Sequence, residues 1–232
     1  MTDQILRVGY VPGVEPDRFA RRWRDGRRPA RLELVQIPWS RQRAALAEEE
    51  VDLCFVRLPL EDDGDLHVVP LWEERPVAVV GVDDVLSLYE DLGAQELAES
   101  IAIAPQNLDD AAERVAVAAT GVGHALMPMS LARLHHRRDA VHRVVRDAEP
   151  TRVALAWPAA ADDALRQEFV AVVRGRTTRS SRGEETPSRG RGGQQAGAGT
   201  TRSARGSAAQ RSARSGSSGR RSARTGRGGR RG

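Results

Sequence analysis

Lysine is absent from this chain of 232 residues, so all 36 of its basic side chains are arginine. Cysteine occurs once, at Cys54, which excludes an intrachain disulfide and any metal centre built on several thiolates. Its place in the apolar run DLCFVR suits a small buried hydrophobe. No stretch approaches the roughly 18 apolar residues of a membrane span. The opening MTDQILRVGYV has no basic start, long apolar core or small-residue cleavage site, so it does not read as a signal peptide. A cytoplasmic protein with no membrane attachment is the expectation.

The charge that is present is unevenly spread. Residues 176–232 hold 15 Arg and 2 Glu, a net +13, whereas residues 1–175 hold 21 Arg and 30 acidic residues, a net −9. Residues 176–232 contain no aromatic side chain and no aliphatic one larger than Ala. Such a segment cannot bury enough surface to offset its ordering entropy, and a disordered C-terminal tail is expected. A flexible chain of that charge binds phosphate backbones through counterion release, with little base preference because nothing in it stacks.

Residues 1–175 alternate short β-branched runs with helical patterns. ILRVGYV (5–11) reads as a strand ending at Pro12-Gly13, and a helix opening at Glu15-Pro16 puts Phe19 and Trp23 on one face. RLELVQI (31–37) alternates as a strand does, a second helix runs from Ser40, and DLCFVR (52–57) makes a third strand. This order predicts a parallel sheet with crossover helices. Two more strands, 66–72 and 76–82, lead to a second region with a helical stretch around 84–99, a strand at 101–104 and a helix over 109–119. Asp110 and Glu113 have the spacing of a capping box, and Gly121 the position of a left-handed helix stop. Strands at 124–127 and 152–157 follow, then a helix over 162–173.

Taken in order, several of these stretches resemble the effector-binding (substrate-binding) domain of LysR-type transcriptional regulators. The carriers are LRVGYVPG (6–13), VDLCFVRLP (51–59), PLWEERPVAVV (70–80), AVAATGVGHALMPMSLAR (116–133) and RVALAWP (152–158). The resemblance implies a two-lobed α/β fold of the type 2 periplasmic-binding-protein kind. Lobe I would be about 1–76 and 157–175, lobe II about 77–156, with a tail at 176–232. Only 16 residues separate the strand at 101–104 from Gly121, so a shortened second lobe is expected. Only four residues precede the opening strand, which implies a sensing domain without the family's helix-turn-helix head.

The resemblance places a small-molecule effector between the lobes. The turn Val11-Pro12-Gly13, Ser40 at a helix start and Arg57 at a strand end lie where open α/β sheets bind ligands. Ser40 offers a hydroxyl beside free backbone N–H groups, and Arg57 a guanidinium for a carboxylate. The alternative for these two is an ordinary cap and a structural ion pair. Gln106 and Asn107 would face the cleft from lobe II or simply begin the next helix. The five histidines (67, 124, 135, 136 and 142) have no metal-ligand spacing, Ser130 has no nucleophile elbow around it, and paired acids read as caps. Neither a catalytic residue, a metal nor a cofactor is expected, and the arginines at 18, 21, 22, 24, 27 and 28 read as a solvated helix face.

Two functions compete. One is a regulatory domain that binds a small organic anion and pairs as a homodimer or with a related regulator, as the resemblance implies. The other is a non-sensing protein that associates with DNA or RNA non-specifically through its arginine-rich tail.

Overall fold

The computed structural model describes residues 4–175, apart from residues 27, 29 and 62. The expected tail at 176–232 and Arg27 lie outside the described residues. The chain runs β1 (Gln4–Tyr10), α1 (Asp17–Asp25), β2 (Ala30–Gln36), α2 (Gln42–Ala47), β3 (Leu53–Leu58), β4 (Leu66–Glu74) and β5 (Pro76–Gly81). It continues through β6 (Asp91–Leu92), α3 (Ala94–Leu97), α4 (Ala111–Ala119), β7 (Ala125–Pro128), α5 (Met129–Leu134), β8 (Ala140–Val145), β9 (Thr151–Pro158) and α6 (Ala164–Val173). These strands form two sheets, ordered β2-β1-β3-β9-β4 and β6-β8-β5-β7, so the second is the smaller. The chain passes from the first sheet to the second between β4 and β5 and returns between β8 and β9.

The first sheet is parallel where helices cross over it, with β1 between β2 and β3. Hairpin-free returns bring β9 and β4 in antiparallel. Both faces of this sheet are covered, so its central strands read as unbroken apolar runs. Leu53 and Phe55 of β3, with Val153, Leu155 and Trp157 of β9, meet Phe19 and Trp23 of α1 and Phe169 of α6. Cys54, Val56, Ala154 and Ala156 point the other way, toward Ala45 and Leu46 of α2. Large side chains thus face the two longer helices, and small ones let the short α2 approach. Phe55 stacks on Phe19 at 5.3 Å and meets Phe169 edge-on at 6.2 Å. Burial pushes the Cys54 thiol up to about 12, which leaves it an inert packing group.

Local chemistry explains most boundaries. Asp17 lies in the first turn of α1 and Arg22 and Arg24 in the last, signs that complement the helix dipole. Asp163 accepts the Arg166 N–H at 2.8 Å and starts α6. Gly121 stops α4 at φ +78, as its position predicts.

Three expectations are corrected. The stretch at 101–104 makes only a bridge, Ala102 opposite His124, because Pro105 and the turn after it leave no room for a longer ladder. The region 84–99 is no continuous helix: a 3-10 turn at Val85–Leu88, the two-residue β6 and the short α3 replace it. Asp110 does not cap α4 through its side chain, since its carboxylate is taken by the Gln106 and Asn107 N–H groups at 2.5 and 3.3 Å. Strand β8 was not foreseen from the sequence, because His142 and Arg143 interrupt its apolar pattern. Arg143 escapes burial by turning out to donate to the Tyr89 carbonyl at 2.6 Å.

Phe55→Ala is expected to lower the unfolding free energy by about 3–5 kcal/mol in denaturant titration, the usual cost of a large aromatic cavity. At Gly123 an added Cβ would sit 2.0 Å from the Ile101 carbonyl oxygen, so Gly123→Ala should break the bridge to β7 and lower Tm. Burial lowers the pKa of His124, and burial with Arg133, Arg143 and His136 nearby lowers that of His142. The unfolded chain therefore binds these protons more readily, and stability should fall as pH drops below the ordinary histidine value of 6.5. Melting curves between pH 7.5 and 5.5 test this, and His124→Gln should flatten the dependence.

Candidate functional site

Strands β1, β2 and β3 run parallel, so their carboxyl ends share one rim of the first sheet. The turn after β1 is drawn in by Val11, whose N–H donates to the Phe55 carbonyl at 3.2 Å, and closed by Val14 donating to the Val11 carbonyl at 3.1 Å. Gly13 holds φ +84, and its missing side chain is also a matter of space. A Cβ there would lie 2.8 Å from Ser130 Oγ and 3.0 Å from Arg57 Nη2.

Arg57 is fully buried at the end of β3. The Gln42 side chain of α2 holds its backbone on both sides: Oε1 accepts the Arg57 N–H and Nε2 donates to the Arg57 carbonyl, each at 2.9 Å. The Nε group donates to Glu74 Oε2 at 2.8 Å, at the end of β4. Nη2 donates to Ser130 Oγ of α5, in the second sheet's layer, at 3.0 Å. The guanidinium carbon lies 5.1 Å from the Trp39 ring. Nη1 is buried and has no partner among the described residues. The carboxylate that Arg57 holds is therefore the chain's own, with one donor left over.

Ser40 sits in a 3-10 turn, Trp39–Arg41, that leads into α2. Pro38 before it fixes the entry, and Ser40 makes no cap of its own. Its hydroxyl donates to Asp109, and the Trp39 N–H donates to Asp109 Oδ1 at 2.6 Å. The Ser40 N–H is 3.3 and 3.4 Å from the two carboxylate oxygens. Two links thus cross between the layers, one at Arg57–Ser130 and one at Ser40–Asp109.

Two depressions flank these links. A groove of about 890 Å³ runs past Tyr10, Gly13, Glu15, Glu74, Ser130 and Arg133. A smaller one of about 490 Å³ is walled by Pro12, Trp39, Leu108, Asp109, Leu131 and His135. Both reach Gln36 and Leu134.

Val11, Pro12, Gly13, Ser40 and Arg57 are brought to this one rim. Gln106 and Asn107 are not: they line a separate depression of about 480 Å³ against α4. Asn107 acts at one remove, accepting the Asp109 N–H at 2.8 Å through its side-chain oxygen. Sequence reasoning missed Glu74, Asp109 and the role of Ser130. The one readable trace was the Asn107-x-Asp109 pattern of an Asx turn, which fixes a loop and does not say what the loop reaches.

Residues 5–114 match the family model of the LysR substrate binding domain. No curated protein matches the chain. Among solved structures, the effector-binding domain of BenM with its effector benzoate superposes with a TM-score of 0.61 at 17% identity, over 81% of this chain and 97% of that one. The regulatory domain of OxyR from Pseudomonas aeruginosa, in its reduced form, gives 0.57 at 17% identity, over 76% and 95%. Hydrogen-peroxide-bound OxyR from Corynebacterium glutamicum gives 0.60 at 15%, over 76% and 69%. Residues 5–114 thus match the LysR substrate binding domain family, and the two sheets joined by two crossings share the fold of these solved effector-binding and regulatory domains.

Proposed function

We propose that this domain senses a small organic anion bound between its two sheets, beside Arg57. The observation that carries this is the wholly buried guanidinium, whose Nη1 has no partner among the described residues. A buried donor without a partner costs about 1–3 kcal/mol or more when charged, and an incoming carboxylate removes that cost. The flanking depressions are of the volume small ligands occupy. The benzoate of BenM is itself a carboxylate, which makes benzoate the natural first probe.

On this reading Gly13 gives the ligand close access to backbone, Arg57 supplies charge, and Ser130 and Ser40 supply hydroxyls from the two layers. Pro12 shapes the wall of the smaller depression, and the buried Val11 anchors the turn beneath it. Gln106 and Asn107 act by placing Asp109. The family matched is regulatory, and the reading includes no chemical step. Pairing with a second copy or a related regulator belongs to the same proposal. A separate reading, non-specific contact with nucleic acid, rests on the +13 charge of residues 176–232.

Isothermal titration of the full chain with benzoate and a panel of aliphatic and aromatic carboxylates tests the anion site. At least one should bind, and Arg57→Met with Glu74→Gln should weaken it about tenfold or more. Arg57→Met alone should cost about 3–5 kcal/mol of stability, because it strands the Glu74 carboxylate, and the paired change should recover most of that. No binding across the panel, or full binding by the paired variant, would sink the reading. For the second reading, removing residues 176–232 should abolish DNA binding whose affinity falls steeply with salt. Binding that survives the truncation excludes the tail as the contact.

A further inference from the structure

We propose that Asp109 is a built-in clasp that closes the second layer onto the first without a ligand, and that an anionic effector enters only as this clasp releases. The gating half rests on the anion site proposed above; the clasp itself does not.

One carboxylate collects the hydrogen bonds of both Trp39 and Ser40. Asp109 Oδ1 takes the Trp39 N–H at 2.6 Å, both oxygens lie within 3.4 Å of the Ser40 N–H, and the Ser40 hydroxyl donates to Oδ2. Hydrogen bonds to an ionised acceptor are the stronger kind. The loop that presents it is built for the purpose. Asn107 holds the Asp109 N–H, and Asp110 turns back onto the N–H groups of Gln106 and Asn107 instead of capping α4. Two acidic neighbours thus have different tasks: Asp110 folds the loop, and Asp109 reaches some 70 residues back along the chain to the first layer.

The setting makes this link releasable. Ser40 and Asp109 are both exposed to water, whereas the other link joins the fully buried Arg57 to the half-buried Ser130. Water replaces the partners of the exposed link more readily than those of the link on the buried guanidinium, so opening begins at Asp109. Asp109 also walls the 490 Å³ depression with Trp39 and Pro12. A carboxylate lodging there meets a like charge already using the available donors. The effector and Asp109 compete for one position.

Amide hydrogen exchange on the full chain, with and without benzoate, decides both halves. In Asp109→Ala the Trp39 and Ser40 amides should exchange about tenfold faster or more than in the parent, with the Phe55 and Leu155 amides unchanged. Asn107→Ala should give a smaller change in the same direction. Unaltered rates at 39 and 40 overturn the clasp. In Asp109→Asn, which keeps the shape and drops the charge, benzoate measured by calorimetry should bind about tenfold tighter than to the parent. Faster amides with unchanged benzoate affinity overturn the gating. If no form of the protein binds benzoate while the Trp39 and Ser40 amides loosen, the clasp stands and it is benzoate as a ligand of the anion site that has failed.

Discussion

A charge taken out of water needs partners, and Arg57, with Nη1 alone of its nitrogens left over among the described residues, is where this protein meets that demand. Its backbone is held by α2 through Gln42, its Nε by the end of β4 through Glu74, and its Nη2 by α5 through Ser130. Three separate segments are tied to this one residue. Glu74 also stands at the point where the chain leaves the first sheet for the second. The ion pair therefore sets the crossing as well as the site. A buried pair of this sort gives little net stability over an apolar substitute, but losing one partner is costly. Its value lies in forcing a single arrangement.

The second crossing between the layers obeys a different rule. At Ser40 and Asp109 the groups are in water, and the link is held by donor geometry more than by a low dielectric. The proposed movement of one layer against the other needs one durable contact to act as pivot and one weak contact to yield. The buried arginine and the exposed aspartate have those properties. The −9 charge of residues 1–175 sharpens the point, because an anionic ligand approaching this domain is attracted by particular donors and not by the overall field.

Much of the fold was legible beforehand. Phe19 and Trp23, four apart, marked the buried face of α1, and the apolar run at 53–56 marked a strand covered on both sides. Gly121 marked a helix end through its need for positive φ. Strand β8 escaped because charged side chains that turn outward disguise a strand. The stretch at 101–104 misled in the opposite sense, since β-branched residues were present but only a single bridge partner was. The candidate rim was legible too: strands running parallel bring residues 11–13, 40 and 57 to one edge of the first sheet.

What the sequence by itself determined was periodicity, charge and the family likeness of residues 5–114, because each of these is carried by neighbours a few positions apart. What only the tertiary structure decided was partnership. Arg57 finds Glu74 and Ser130, and Ser40 finds Asp109, at separations of 17, 73 and 69 residues. No local pattern encodes such pairings. They exist because two sheets, folded from alternating segments of one chain, bring their loop ends to a common seam.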